Sequence, residues 1–454
     1  MILKKESKFN LICYGVILLF FIVLAAITPI SLYGDSEQFI SMHMHREPVY
    51  PLFLWVFRQI AGEAHYLEVV KWAQSLLNAI CAIVFLRGIS VRLNTGKAVT
   101  AIGTIALLTP HLMTPLFSQS RMVITSGIMN EALCLPLFYL FLLELIELAL
   151  EGGKRHLVFS VSWALIISLI RGSMMICLIA WTIVAIGRAV FEKKRIYYPI
   201  IFIIALFLLM KLRSGLYVGY NYVVNDVAEA NMCGNMNLVT NVLYASDKEA
   251  GERIEDDLSR ALFYEIYDRA DEAGLTYRHA GNGIYNTISH LENSHDTLKF
   301  DYILKDLDDY YITYVGMDEY VAKTRFNEET CKKIAHAIWP ACFGRWLIRY
   351  VGLSVNGVVR SVAVVKPYTV IPALIMVFAA LGLSIYCLVK GKHVKTAIAL
   401  LIILMMLAAN ACGVATVIMC ISRYMIYCFA PFYIGFIALL LECFNEWRKK
   451  KNEL

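Results

Sequence analysis

The chain has 454 residues, of which 59% are hydrophobic and 17% are charged. Soluble globular proteins carry about 25% charged residues, so this composition indicates a polytopic membrane protein. The net charge of +6 does not call for a nucleic-acid partner, because the basic residues cluster at the ends of apolar runs, as cytoplasmic anchors do. We therefore expect an all-α polytopic membrane protein that binds no nucleic acid.

About ten apolar segments approach the roughly 20 residues that a transmembrane helix needs. They are 11–32, 67–86, 98–117, 127–150, 157–170, 174–190, 196–212, 368–390, 396–413 and 423–442. The first is longer than the apolar core of a typical signal peptide, and no clear cleavage motif follows it. We expect it to be retained as a span. The fifth segment is the shortest.

Basic residues mark one side of these spans. They precede the first span, follow the second, fourth and sixth, separate the eighth from the ninth, and end the chain: Lys4, Lys5, Lys8, Arg87, Arg92, Lys97, Lys154, Arg155, Arg188, Lys193, Lys194, Arg195, Lys390, Lys392, Lys395, Arg448, Lys449, Lys450 and Lys451. The positive-inside rule then places both termini in the cytoplasm. This topology predicts a transmembrane module over 1–212, an extracytoplasmic domain with juxtamembrane helices over 213–367, and a second transmembrane module over 368–454.

The predicted extracytoplasmic domain is small, locally acidic and mainly α, with a helix-like stretch over 252–273. It contains Cys233 and Cys331, for which a disulfide is one alternative, and Cys342 as an odd third cysteine. No P-loop or GxGxxG motif occurs, and no cytoplasmic segment is long enough for a nucleotide-binding domain. Nucleotide chemistry on the cytoplasmic side is therefore not expected.

Asp35 and Glu37 follow directly on the first span, on the predicted outer side. Charges at the edge of a span are a functional hypothesis by default. The pair could act as a general base or as metal ligands; the alternative is a solvated loop that caps a helix starting near Ser36. On a helix, the side chains of Asp35 and Glu37 would point in different directions, because the two residues are two positions apart. Only an extended or turn backbone therefore directs both carboxylates toward one site.

A short apolar and aromatic stretch follows, starting at Pro48 and Pro51 with Tyr50 between them. It is too short to span a bilayer. An interfacial helix along the outer leaflet and a plain packing helix both fit this pattern.

Further charges lie on the predicted outer side at span ends. Glu131 begins the fourth span, Arg171 lies in a turn, and Arg423 and Tyr424 open the last span, with Arg121 also outside. Each could be an interfacial charge that reaches toward headgroups. Together, outer arginines facing carboxylates would form an anion site suited to a lipid-linked phosphate.

These motifs resemble those of the GT-C class of integral membrane glycosyltransferases, which includes protein O-mannosyltransferases and lipid A aminoarabinose transferases. The resemblance lies in the order of the motifs along the chain and in their common location on the predicted outer side of the membrane. The resemblance rests on Gly34-Asp35-Ser36-Glu37, Pro48-Val49-Tyr50-Pro51, Asn130-Glu131, Arg171-Gly172, Arg423-Tyr424 and the segment from Ile334 to Pro340, which contains His336. Two departures stand out: Ser36 separates the two acids, and Arg-Gly replaces the Arg-Pro that is frequent in the family.

The resemblance implies transfer of a sugar from a polyprenyl-phosphate donor to a glycan, lipid or protein acceptor outside the cytoplasm, with inversion. Asp35, with Glu37, would be catalytic; Arg423, Arg171, Arg121 and Tyr424 would bind the donor phosphate; and Glu131, Tyr50 and His336 would lie near the acceptor or support the site. Some family members use a divalent cation near the phosphate, and Asp35 and Glu37 are the candidates to hold one here.

Two other functions remain alternatives. A membrane polysaccharide polymerase or ligase would also be polytopic with outer arginines. A lipid-linked sugar transporter would be expected to carry internal repeats and broken helices at the membrane midplane. No such repeat is visible, and the polar residues gather at one membrane face, which favours an enzyme.

Overall fold

The computed structural model describes residues 7–93, 95–117, 121–193, 195, 197–230, 234–316 and 319–453. Within these ranges the protein is helical, and its β structure amounts to one isolated bridge between Ser31 and Gly127. The helices are α1 (Lys8–Ile27), α2 (Ser36–Ile40), α3 (Val49–Ala61), α4 (Tyr66–Arg92), α5 (Lys97–Phe117), α6 (Glu131–Leu150), α7 (Lys154–Ser168), α8 (Ile176–Phe191), α9 (Tyr197–Asn225), α10 (Gly234–Ala245), α11 (Asp257–Glu272), α12 (Ile284–Thr297), α13 (Lys305–Val315), α14 (Tyr320–Arg360), α15 (Val370–Val389), α16 (Val394–Val417), α17 (Ser422–Met425) and α18 (Phe429–Glu453).

Nine helices in the described ranges are long and apolar enough to cross a membrane, which confirms a polytopic α-helical protein. They are α1, α4, α5, α6, α8, α9, α15, α16 and the helical stretch that includes α18. The predicted fifth span, 157–170, corresponds to α7, which has only 15 residues. At 1.5 Å per residue it extends about 22 Å, less than the roughly 30 Å of a hydrocarbon core.

The chain divides into two compact units. The first comprises the residues up to Tyr220, Val358–Asn410 and the residues from Ser422 onward; the second comprises Asn221–Gly357 and Ala411–Ile421. The second unit contains α10 to α13 and most of α14. Its helix α11 lies within the helix-like stretch expected over 252–273 and begins at Asp257.

In the first unit, helix termini meet at the two ends of α6. At its C-terminal end, called the Glu147 end, Arg92 of α4 pairs with Glu147 and Glu151, and Arg188 of α8 donates to the carbonyl of Leu150 at 3.2 Å. At its N-terminal end, called the Glu131 end, the turn after α7 contacts Glu131. The short helix α7 therefore brings the chain back from one end of α6 toward the other.

The core of the first unit lies around α6, whose side chains are largely buried on all faces. By contrast, α1 and α9 leave many apolar side chains exposed, including Ile12, Leu19, Ile203 and Phe207. An apolar outer surface of this kind is what a helix bundle presents to lipid, while its polar groups face inward. The ion pairs described above lie at the two ends of α6, and the candidate site lies at the Glu131 end.

Candidate functional site at the Glu131 end

A backbone pairing positions Asp35 beside the start of α6. The Ser31 amide donates to the Ser126 carbonyl at 3.0 Å, and the Ile128 amide donates to the Ser31 carbonyl at 3.0 Å. The buried Ser36 hydroxyl donates to the Ile128 carbonyl at 2.8 Å. Asp35 precedes the first residue of α2 and does not cap that helix with its side chain. Its carboxylate is therefore available to other partners.

The partners of Asp35 are two arginines. Arg46 Nη2 lies 2.5 Å from Asp35 Oδ1, and Arg423 Nη2 lies 3.6 Å from Asp35 Oδ2. The Asp35 side chain is 36% exposed. One carboxylate oxygen is thus tightly paired, and the other faces Arg423 at a looser distance.

Glu131 and Arg171 form the buried part of the site. Arg171 Nη1 lies 2.7 Å from Glu131 Oε1, and the two side chains are 12% and 1% exposed. Asn130 fixes the turn after α7 by donating to the Ile170 carbonyl at 3.1 Å and accepting from Arg171 at 3.3 Å. Ser173 accepts a further bond from Arg171 Nε at 3.0 Å. The guanidinium is thereby held in one orientation.

Arg423 connects the two carboxylates. Its Nε lies 3.8 Å from Glu131 Oε1, in addition to its contact with Asp35, and its side chain is 18% exposed. The Tyr424 hydroxyl accepts from Arg423 Nη2 at 2.9 Å. The Tyr424 ring centroid lies 4.1 Å from Arg171 Cζ and 4.9 Å from Arg423 Cζ, so one aromatic ring contacts both cations. Residues from distant parts of the chain therefore meet in one cluster.

The cluster carries an excess of positive charge. Three arginines, 46, 171 and 423, face the two carboxylates of Asp35 and Glu131. Burial lowers the pKa of Arg171, but the Glu131 carboxylate acts together with Tyr427, Tyr424 and Cys134 and holds that pKa well above its ordinary value. Arg423 Nε is buried without a hydrogen-bond partner. The cluster thus has both positive charge and an unpaired N–H donor for an anion.

Glu37 and Arg121 lie apart from these contacts. Glu37 is exposed on α2, and its carbonyl accepts from the Ser41 amide at 2.8 Å. Arg121 is exposed, with a left-handed backbone at φ 46°. Within the described ranges, neither side chain forms an ion pair. A catalytic role for Glu37 and a phosphate-binding role for Arg121 remain predictions.

Tyr50 and His336 occupy different units. Tyr50 is fully buried on α3 and donates to Gln74 Oε1 at 2.8 Å. Burial and the Glu131 charge raise the pKa of Tyr50 well above its ordinary value, which supports a structural role near Glu131. His336 is exposed on α14 in the second unit. Its predicted role near the site remains a prediction.

Sequence reasoning did not assign Arg46, Glu47 or Arg213 to the site. Arg213 Nη2 lies 3.7 Å from Glu47 Oε1, and Arg213 Nε donates to the Ser168 carbonyl at 3.0 Å. Glu47 also lies against Gly172, where an added Cβ would come within 2.5 Å of Glu47 Oε1. The available signal was the adjacent Arg46-Glu47 pair just before Pro48, on the side predicted to be outer.

Within the described residues, no group of three or more His, Cys, Asp or Glu side chains is placed to hold a metal ion. Asp35, one of the two predicted metal ligands, is instead engaged with arginines. The suggested partner of Cys331, Cys233, lies outside the described residues; Cys331 and Cys342 are both buried. A divalent cation held by Asp35 and Glu37 remains a prediction.

Comparison of the chain with family models, with curated proteins and with solved structures gave no match.

Proposed function

We propose that this protein is a GT-C-type inverting glycosyltransferase, which moves a sugar from a polyprenyl-phosphate donor to an acceptor on the outer face of the cytoplasmic membrane. The observation that carries the proposal is the position of Arg423, whose guanidinium lies within 3.8 Å of both Asp35 and Glu131. A candidate phosphate-binding cation and a candidate base thus lie next to each other at a helix end. Sugar transfer from a lipid phosphate needs this combination.

Arg171 and Arg423 would bind the donor phosphate. A guanidinium presents a planar fork of N–H donors that suits phosphate oxygens, and its charge stabilises the phosphate as it leaves. Tyr424 contacts both guanidinium groups and would hold them at a common distance from the phosphate. Glu131 would act as a positioning residue, because it pairs with Arg171 from a site that is almost inaccessible to solvent.

Asp35 would be the general base. Its Oδ1 is fixed by Arg46, and its Oδ2, which lies 3.6 Å from Arg423 Nη2, would accept the proton of the acceptor hydroxyl. The acceptor oxygen then bonds to the anomeric carbon on the face opposite the phosphate. The bond from that carbon to the phosphate oxygen breaks, and the electron pair leaves with polyprenyl phosphate. The proton ends on Asp35, and the anomeric configuration is inverted.

Charge asymmetry supports an outer location for the site. The Glu147 end carries Arg92 and Arg188, and other basic residues follow the same helix ends, as the positive-inside rule expects of the cytoplasmic side. The opposite, Glu131 end would then face outward. Counting α7 as a crossing gives ten crossings and two cytoplasmic termini, with most of the second unit outside. The acceptor is a glycan, a lipid or a protein in the cell envelope.

Two variants on the same final helical stretch test the proposal. Arg423→Ala removes a charge-assisted phosphate contact worth about 1.5–3 kcal/mol, which corresponds to a loss of roughly ten- to a hundredfold in kcat/KM for the donor. Arg448→Ala removes an exposed cation near the C-terminal end of α18 and should leave donor use unchanged. The assay is consumption of a panel of polyprenyl-phosphate sugars by the purified proteins in liposomes.

The two variants also separate the alternatives. If Arg423 were only an interfacial charge, both substitutions would behave alike. Equal donor consumption by the two variants would contradict the proposed phosphate site. It would favour a polymerase or ligase that uses a diphosphate-linked glycan, or a transporter of lipid-linked sugars.

A further inference from the structure

Arg349 on α14 is an arginine buried without a partner. The residue is 1% exposed, among the largest fully buried side chains described for the chain. Its three guanidinium nitrogens, Nε, Nη1 and Nη2, lack any hydrogen-bond partner. A buried charge is costly unless it is paired and hydrogen-bonded. Arg349 therefore presents five N–H donors to the interior of the second unit with nothing to accept them.

The groups around Arg349 are a phenol, two thiols and the buried His295 imidazole, rather than carboxylates. They include the Tyr244 phenol on α10 and the thiols of Cys342 and Cys420. No carboxylate of the described residues lies within ion-pair distance of the guanidinium. Burial lowers the pKa of Arg349 to about 10, so the side chain still carries its positive charge at neutral pH.

Other arginines of the second unit do have carboxylate partners. Arg345, one turn before Arg349 on the same helix, lies 2.5 Å from Asp247 and donates to the Ala245 carbonyl at 2.7 Å. Arg269 pairs with the buried Asp306. The guanidinium groups of Arg345 and Arg269 thus have carboxylate partners within the second unit. Arg349 has none, and an anion from outside the chain would supply the missing partner.

Trp346 adds a further donor next to Arg349. Its Nε1 is buried without a partner although its ring is partly exposed, and Arg349 Cζ lies 5.6 Å from the ring centroid. The ring stacks on Tyr350 with 5.5 Å between centroids. The partly exposed indole thus lies beside the guanidinium, and its N–H is a second buried donor without a partner.

We propose that Arg349 and the Trp346 indole N–H form a phosphate-binding site inside the second unit. A carboxylate would engage one edge of the guanidinium and leave other donors unpaired, whereas the oxygens of a phosphate group can accept from Nε, both Nη atoms and the indole. The phosphate belongs either to free inorganic phosphate or to a phosphate-bearing lipid headgroup. This site would exist whether or not the protein transfers a sugar.

The test uses the full-length protein and compares thermal unfolding with two probes. One probe is inorganic phosphate added to the protein in detergent. The other is phosphatidate added to phosphatidylcholine nanodiscs. A ligand that binds the folded state raises the unfolding temperature as its concentration increases. A response to phosphate identifies the free ion as sufficient, and a response to phosphatidate alone identifies the headgroup; either result supports the site.

Two variants on α14 locate the response. Arg349→Met keeps an unbranched side chain as far as the position of Nε but removes all five donors, and should abolish the probe-induced stabilisation. Arg325→Met removes an exposed cation paired with Glu229 in the same unit, and should respond as the wild type does. A wild type that responds to neither probe, or an Arg349→Met protein that responds like the wild type, overturns the proposal.

Direct binding measurements keep the test decisive if Arg349→Met fails to fold: equilibrium dialysis with radiolabelled inorganic phosphate, and co-purification of radiolabelled phosphatidate with the protein in detergent. The wild type should bind one molecule of the effective probe per chain. Arg349→Lys retains the charge but loses the fork, and should bind roughly tenfold or more weakly. Undiminished binding by Arg349→Lys would contradict the assignment of the site to the guanidinium.

Discussion

Replacing Glu131 by glutamine tests whether the site is held together by a buried charge pair. The glutamine keeps the size of the side chain but leaves Arg171, 12% exposed, and Arg423, 18% exposed, without the carboxylate that lies between them. Removing one partner of a buried pair costs about 3–5 kcal/mol, because the remaining charge is uncompensated. We expect Glu131→Gln to be destabilised by an amount in this range.

An exposed pair in the same unit provides the control. Arg58 and Glu63 pair with side chains that are 40% and 67% exposed. Solvent screens such a pair, so Glu63→Gln should cost at most about 1 kcal/mol. Both variants are compared by equilibrium unfolding in mixed micelles, with increasing amounts of a denaturing detergent.

A double-mutant cycle with Arg171→Met isolates the pair. Residues in direct contact couple by roughly 0.5–3 kcal/mol. The loss in free energy of unfolding should therefore be smaller for the double variant than the sum of the losses for the two single variants. This holds although Arg423 remains near position 131. An unfolding midpoint for Glu131→Gln equal to that of the wild type, or strictly additive losses, would refute the reasoning.

Two further predictions concern the turn that holds Arg171 and the topology. Gly172→Ala places a methyl group against Glu47 and should lower stability by about 1 kcal/mol, whereas Gly187→Ala, with open space around it, should not; thermal unfolding of the two variants decides. In a cysteine-free background, a cysteine replacing exposed Asp309 should react with an impermeant reagent from outside, and one replacing exposed Lys390 should not. Labelling of position 309 only from the cytoplasm would contradict the proposed orientation.

The proximity of Glu131, Arg171 and Arg423 follows from span boundaries that are readable in the sequence. Each residue lies at the end of an apolar run on the same predicted side, and antiparallel helices bring such ends together. The pairing of Asp35 with Arg46 was not predictable in this way. It depends on the backbone at Met42, which takes a left-handed φ of 56° between α2 and Arg46. A non-glycine residue rarely adopts this conformation, and the local sequence gives no signal for it.

The boundary of the second unit shows a different limit of sequence reasoning. The expected domain, 213–367, leaves out residues 411–421, which look like the end of an apolar span. In the fold these residues belong to the second unit, where the Asn241 side chain donates to the Val417 carbonyl at 2.6 Å. A long-range contact of this kind carries no periodic signal. The burial of Arg349 could not be predicted from the sequence for the same reason. Within the sequence of α14 it is one basic residue among several.

The most direct test of the proposed function is sugar transfer by purified Asp35→Asn, measured beside Glu37→Gln with the same donor and acceptor. Asparagine keeps the shape of the Asp35 side chain but cannot accept the acceptor proton, and losing a general base costs at least about 10²-fold in rate. We expect Asp35→Asn to fall by this factor or more while expression is unchanged, and Glu37→Gln, exposed on α2, to lose less. Turnover of Asp35→Asn at the wild-type rate would contradict the assignment of Asp35 as the base.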